Sequence, residues 1–448
     1  MAHTYTTPWL LVVAELLILV SITESKVPAI IVFGDSTVDA GNNNVYVTLV
    51  KSNFRPYGRD FAGGRPTGRF SNGRIPPDFI SEAFEEFSLL LPRHKAIMAY
   101  TYTTPWLLVV AELLILVSIT ESKVPAIIVF GDSTVDAGNN NVYPTLLKSN
   151  FRPYGRDFAG GRPTGRFSNG RIPPDFISEA FGLKPTVPAY LDPAYNISDF
   201  ATGVCFASAG TGYDNATSDV FKVIPMWKEL EYYKEYQNKL RAYVGKDKAN
   251  EILNEALYLM SLGTNDFLEN YYLSPKRQSQ FTVQQYEDFL IGLAGNFIRE
   301  LYSLGVRKIS LTGLPPMGCL PLERTINILG KNECLEKFNN VALEFNGKLN
   351  GLVERLNKEL PGLRLLSTDV YKILDQIIKK PSLYGFDVVG KGCCATGKFE
   401  LSYLCNKLSP FTCSDAKKYV FWDAFHPTEK TSHIVVNSFL DKLRAYFR

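Results

Sequence analysis

Short apolar runs alternate with longer stretches of helical period through the last two-thirds of the chain. Val124–Phe130 (VPAIIVF), Gly203–Ala207, Ala256–Leu262, Lys308–Leu314 and Leu363–Ser367 are each too short for a helix. Their near-continuous apolar character predicts strands buried on both faces. Between and after them, Lys228–Val244, Val283–Leu304, Cys334–Glu359, Tyr371–Ile378 and Glu429–Phe447 carry helical patterns. Strand–helix alternation of this kind predicts an α/β fold, with a central parallel sheet of about five strands covered by helices on both sides. Ligands of such sheets bind beyond the carboxyl ends of the strands. The stretch Phe151–Arg171, rich in Pro, Gly and Arg, breaks the pattern and reads as an ordered surface loop near the site mouth. Its arginines are expected to be solvated rather than anion-binding. No linker is long enough to separate two domains within the patterned region.

The pattern also repeats. Met1–Phe84 recurs as Met98–Phe181 with three differences: His3/Tyr100, Val47/Pro144 and Val50/Leu147. Solenoids stack at least three diverged units, so a near-identical pair is not one. It points to a gene-model artefact or a recent duplication of one coding segment, with residues 1–97 an added leader plus first-block segment. Each copy begins with an apolar run. Trp106–Ile119, broken by Glu112, is shorter than the ~20 residues of a membrane span and fits a secretory signal core. The preceding Met98-Ala99-Tyr100-Thr101 lacks Lys and Arg. Residues 98–122 are therefore expected to be a signal peptide cleaved near Ser122, with one domain from 123 to 448. No stable membrane span is expected.

Composition narrows the class. A formal charge of +3, with residues 1–97 balanced, argues against a nucleic-acid module. A 46% hydrophobic content supplies a large core. The sequons Asn196-Ile-Ser198 and Asn215-Ala-Thr217 agree with export, making Asn196 and Asn215 candidate glycosylation sites. Of seven cysteines, six lie late in the chain: Cys319, Cys334, Cys393, Cys394, Cys405 and Cys413. In an exported chain they read as disulfides. Cys319 and Cys334 are the natural local pair, and Cys393 and Cys394 then pair with Cys405 and Cys413 in an open order. No histidine stands at ligand spacing beside them, so zinc is the weaker reading. Cys205 is left as a buried free thiol.

The chemistry-bearing residues fall at strand ends. Val129-Phe130-Gly131-Asp132-Ser133 ends the first strand and turns, exposing Ser133 at the carboxyl edge. Serine attacks a carbonyl only when a base takes its proton. Asp423-Ala424-Phe425-His426-Pro427 supplies a histidine with a carboxylate close enough to orient it. Of four histidines, His3 and His94 precede the expected domain, and His433 lies in a helical stretch. His426 is the base candidate. Gly203–Gly212 (GVCFASAGTG) and Gly263-Thr264-Asn265-Asp266 offer a close backbone approach and a side-chain amide. The first copy repeats the nucleophile loop, Gly34-Asp35-Ser36, but none of the partners. Ser133 is contiguous with them, and Ser36 is expected to be idle.

With these blocks in place the chain resembles the GDSL esterase/lipases of the SGNH hydrolase superfamily, in their secreted plant form, over essentially residues 124–448. The resemblance rests on Gly131–Asn140, Gly203–Gly212, Gly263–Asp266 and Asp423–Pro427, with Lys391–Cys394 and Tyr419–Trp422 also plant-type. It implies a three-layer flavodoxin-like fold and no metal or cofactor. Ser133 would be the nucleophile, His426 the base and Asp423 its partner. Gly210 and Asn265 would complete an oxyanion hole with the Ser133 N–H. Many relatives carry asparagine where this chain has Cys205, which leaves the hydrogen bonding there open. The implied activity is hydrolysis of acyl or acetyl esters of a small-molecule, lipid or cell-wall substrate. Transfer to a hydroxyl acceptor and a non-catalytic binding role on the same scaffold are the alternatives.

Overall fold

The computed structural model describes residues 39–45, 48, 50–61, 64–78 and 124–447. The chain divides into two compact units, Met1–Thr120 and Glu121–Arg448. Ser36 and both leader-like runs lie outside the described residues.

In the second unit, five strands form one parallel sheet: β1 (Ile127–Gly131), β2 (Gly203–Cys205), β3 (Leu257–Ser261), β4 (Lys308–Thr312) and β5 (Arg364–Thr368). Their order, β2-β1-β3-β4-β5, is the flavodoxin-like order. All five residues of β1 are buried, as its unbroken apolar run requires. Alternate side chains enter opposite layers. Ile128 and Phe130 join Tyr258 and Met260 of β3 in one core, and Ile127 and Val129 join Leu257 and Leu259 in the other.

The helices follow from those two cores. They are α1 (Pro173–Ala180), α2 (Met226–Val244), α3 (Lys246–Glu255), α4 (Val283–Ser303), α5 (Glu336–Glu359), α6 (Val370–Lys379) and α7 (Glu429–Phe447). Leu230 and Tyr233 of α2, Phe297 of α4 and Phe345 of α5 pack in the first core. Phe176 and Ile177 of α1, with Val436 and Leu443 of α7, pack in the second. The result is a three-layer α/β/α architecture.

Three features were not foreseen. Gly245, at φ +84°, ends α2 and lets α3 begin at once in a new direction. Asp266–Tyr272 winds as a π-helical segment directly after the Asn265 corner. The loop-rich tail contains a second small sheet, in which β6 (Val388–Gly392) pairs parallel with β7 (Tyr419–Phe421). Around it close the disulfides Cys393–Cys413 and Cys394–Cys405, and Cys319–Cys334 forms the local pair. These bonds occupy all six late cysteines, which settles the choice between disulfides and zinc.

The arginine loop corrects an expectation. Arg166, expected in solvent, is buried and makes a two-pronged pair with Asp175, both nitrogens at 2.8 Å, and donates to Val187 O. Arg156 covers the Trp422 ring and donates to Cys413 O. Arg171 pairs with Glu179 and Glu429. Burying a guanidinium is tolerated only where its donors are matched, and here they are. These side chains tie the loop to α1, α7 and the disulfide region.

In the first unit, the described part of the duplicated loop repeats the local hydrogen bonds of its twin. Gly58 N donates to Ser71 O at 3.0 Å, as Gly155 N donates to Ser168 O at 2.9 Å. Arg69 pairs with Asp78 at 2.8 Å, as Arg166 does with Asp175. The loop conformation is thus written in its own local sequence.

Candidate active site

Gly131 ends β1 at φ +146°, and a Cβ there would stand 2.3 Å from Ser261 O. Only glycine lets the chain turn this close to β3, and the turn lifts Ser133 to the carboxyl edge. Beneath it, Gly131 N donates to Glu229 Oε2 at 3.0 Å. Burial pushes the Glu229 carboxyl well above its ordinary range. Asp132 accepts from Thr134 N and Oγ1, and its burial raises its carboxyl to about 6.

His426 reaches Ser133 from the other end of the chain. Its Nε2 lies 2.7 Å from Ser133 Oγ. Its Nδ1 lies 3.0 and 2.9 Å from the two oxygens of Asp423. Asp423 also accepts the backbone amides of Phe425 and His426, at 2.9 and 2.7 Å, so the short turn holds the carboxylate and the imidazole together. All three side chains are buried.

One partner was invisible in the sequence. Tyr154, fully buried in the arginine loop, donates its hydroxyl to Asp423 Oδ2 at 2.8 Å and accepts from Ser402 N at 3.0 Å. Burial, with the negative Asp423 alongside, drives the phenol well above its usual range and keeps it a donor. The only hint was that its loop was expected near the mouth.

Gly210 and Asn265 line the same cleft as Ser133 and His426. Gly210 has φ +86°. Among the described residues, no protein acceptor takes the backbone N–H of Ser133 or Gly210. Asn265 Nδ2 gives one hydrogen to Thr211 O at 3.0 Å and keeps a second.

The polar residues of the first block hold this geometry. Asp136 accepts from Gly138, Asn139 and Ala209 amides. Asn139 Nδ2 donates to Cys205 O and Ala207 O, and Asn140 Nδ2 to Ala209 O. Asp266 accepts from Tyr213 N, Asp214 N and Thr217 Oγ1. Its burial outweighs those bonds and raises its carboxyl to about 7. The Gly210 segment is therefore clamped between Asp136 on one side and Asp266 on the other. At the open position, the Cys205 thiol lies 3.2 Å from Val135 O and is buried. Burial pushes its pKa up and makes it unreactive.

The remaining candidates lie apart from the cleft. Asn196 is exposed and caps a short helix through Ser198 N. Asn215 is exposed in the first turn of another, while the hydroxyl of its sequon partner Thr217 is bound to Asp266.

A strand-end serine bonded to a histidine that is bonded to a carboxylate is the arrangement of a serine hydrolase. Residues 127–439 match the GDSL-like lipase/acylhydrolase family, and the chain belongs to that family. It is 62% identical over 325 residues to one GDSL esterase/lipase of Arabidopsis thaliana, covering 72% of this chain and 93% of that protein. A second from the same plant is 57% identical over 350 residues, covering 78% of this chain and 100% of its own length. Among solved structures, a catalytic mutant of Axe2, an acetylxylan esterase from Geobacillus stearothermophilus, aligns with a TM-score of 0.34 at 12% identity. That alignment covers 72% of this chain and 96% of the other. The chain is a hydrolase acting on ester bonds, its disulfides fit an extracellular protein, and its substrate class is a small-molecule or lipid ester. Among the described residues no helix is long and apolar enough to cross a membrane.

Proposed function

We propose that Ser133, His426 and Asp423 are the catalytic triad of a secreted serine esterase. The observation that carries this reading is the unbroken chain from Ser133 Oγ through both His426 nitrogens to Asp423. With Nδ1–H donating to Asp423, Nε2 is left as the acceptor for the serine proton. His426 takes that proton as Ser133 Oγ attacks the ester carbonyl. The oxyanion is met by the backbone N–H of Ser133 and Gly210 and the free Asn265 amide hydrogen. His426 then protonates the departing alcohol. A water deprotonated by His426 attacks the acyl-enzyme and releases the acid.

The working domain is residues 123–448, preceded by a signal peptide at 98–122, and residues 1–97 add no catalytic group. Three disulfides and the exposed Asn196 sequon support an exported protein. Hydrolysis of p-nitrophenyl acetate tests the assignment. Ser133→Ala and His426→Ala each abolish turnover, and Ser36→Ala leaves it unchanged. Loss of activity in Ser36→Ala with activity retained in Ser133→Ala refutes it.

A further inference from the structure

The cleft at Ser133 is small and open on one side, with a volume of about 20 Å³, room for little more than one water-sized group. An aliphatic chain longer than a methyl would extend out of it. Next to it lies a much larger cavity of about 110 Å³. Its walls come from Ile177 of α1, Leu259 of β3, Leu314 after β4, and Val435 and Phe439 of α7. Asp132 is the one ionisable residue in its lining.

Two observations connect this cavity to the nucleophile. Asp132 and Thr134, the residues on either side of Ser133, both border it. Phe425, next to His426, lines the cavity and the catalytic cleft alike. The cavity runs along the carboxyl-terminal residues of β3 and β4, Leu259, Met260 and Ser261 with Ser310 and Thr312, near the sheet edge where ligands of this strand order collect. An apolar space of this kind favours hydrocarbon over water.

We infer that this cavity is the acyl-chain site: the aliphatic tail of an ester held at Ser133 runs past Phe425 between α1 and α7. The inference rests on Ser133 being the nucleophile, and it makes the enzyme a medium-chain acyl esterase rather than a deacetylase.

The test compares p-nitrophenyl acetate with p-nitrophenyl octanoate in the full chain and in two cavity-filling variants, Ile177→Phe and Val435→Phe. The wild type is expected to favour octanoate. Each variant is expected to lower kcat/KM for octanoate about tenfold or more while acetate changes less than about twofold. Equal effects on both esters in a variant that keeps its melting temperature overturn the inference, as does a wild type without chain-length preference. Calorimetric binding of dodecanoate to Ser133→Ala protein reads the cavity without turnover. Binding that Ile177→Phe weakens about tenfold supports the site, and no binding overturns it. If the wild type hydrolyses neither ester, the esterase reading fails, and dodecanoate binding alone decides the cavity.

Discussion

The Tyr154 hydroxyl donates to Asp423 Oδ2, one of the two oxygens that face the His426 ring, at 2.8 Å. The carboxylate bonded to His426 is thus itself held, by a residue 269 positions away in the chain. A neutral donor on this oxygen draws charge from it and fixes its plane. Hydrogen bonds to charged groups are worth about 1.5–3 kcal/mol, so Tyr154→Phe is expected to lower kcat by about tenfold or more. The loss should come from a carboxylate free to rotate away from the His426 ring. An unchanged kcat in Tyr154→Phe, with KM alone altered, contradicts this role.

The Asn265 amide and the Gly210 backbone make separable contributions. If Asn265 donates to the oxyanion as proposed, Asn265→Ala is expected to cost about 10²–10³ in kcat with little change in KM. Gly210→Ala places a Cβ 2.8 Å from Leu147 Cδ2 at φ +86°, so it distorts the loop as well. It is expected to lower both kcat and melting temperature, whereas Asn265→Ala leaves the melting temperature close to wild type. Stopped-assay kinetics with parallel thermal melts separate the two.

Several carboxyls that hold the site titrate unusually high. Asp132 and Asp136 lie at about 6 and Asp266 at about 7, each because burial penalises its charge. A carboxyl whose folded value is raised binds its proton more tightly in the folded state. Its stabilising contribution is complete below the ordinary value of 3.8 and is lost as pH rises through about 7. The melting temperature should therefore fall between about pH 4 and about pH 7, and Asp266→Asn should flatten that fall. Parallel curves for the two proteins contradict it.

The Cys394–Cys405 bond underlies the same corner. Cys394 N donates to Trp422 O, one residue before Asp423, and Cys394 and Cys405 pack with Tyr154, Phe167 and Trp422. A Cys394→Ser/Cys405→Ser double variant is expected to lose about 2–4 kcal/mol of stability. Its activity should fall before the sheet unfolds, because the Tyr154–Asp423 contact depends on this cluster. Denaturant curves read by activity and by far-ultraviolet dichroism check the order of the two transitions.

What could be read from the sequence was what is local. Gly131–Asn140 and Asp423–Pro427 are contiguous strings, and each strand was marked by its own apolar run. Tyr154 was hidden because its contact is made across the whole fold. Asp266 was read as part of a turn, since its three donors come from another corner. Arg166 was placed in solvent because its partner Asp175 and the Val187 carbonyl that complete its burial sit on different segments. The order of the late disulfides was open for the same reason: adjacent Cys393 and Cys394 offer two pairings that only the path of the tail distinguishes.

The central claim is that one of two identical nucleophile loops works, the one at Ser133. A fluorophosphonate probe labels an activated serine, and trypsin then releases Val27–Lys51 and Val124–Lys148 as separate peptides. They differ at Val47/Pro144 and Val50/Leu147, so mass spectrometry tells them apart. The account predicts the adduct on Ser133 in Val124–Lys148, and its disappearance in His426→Ala. An adduct on Ser36 in Val27–Lys51, or labelling of Ser133 that persists without His426, contradicts it.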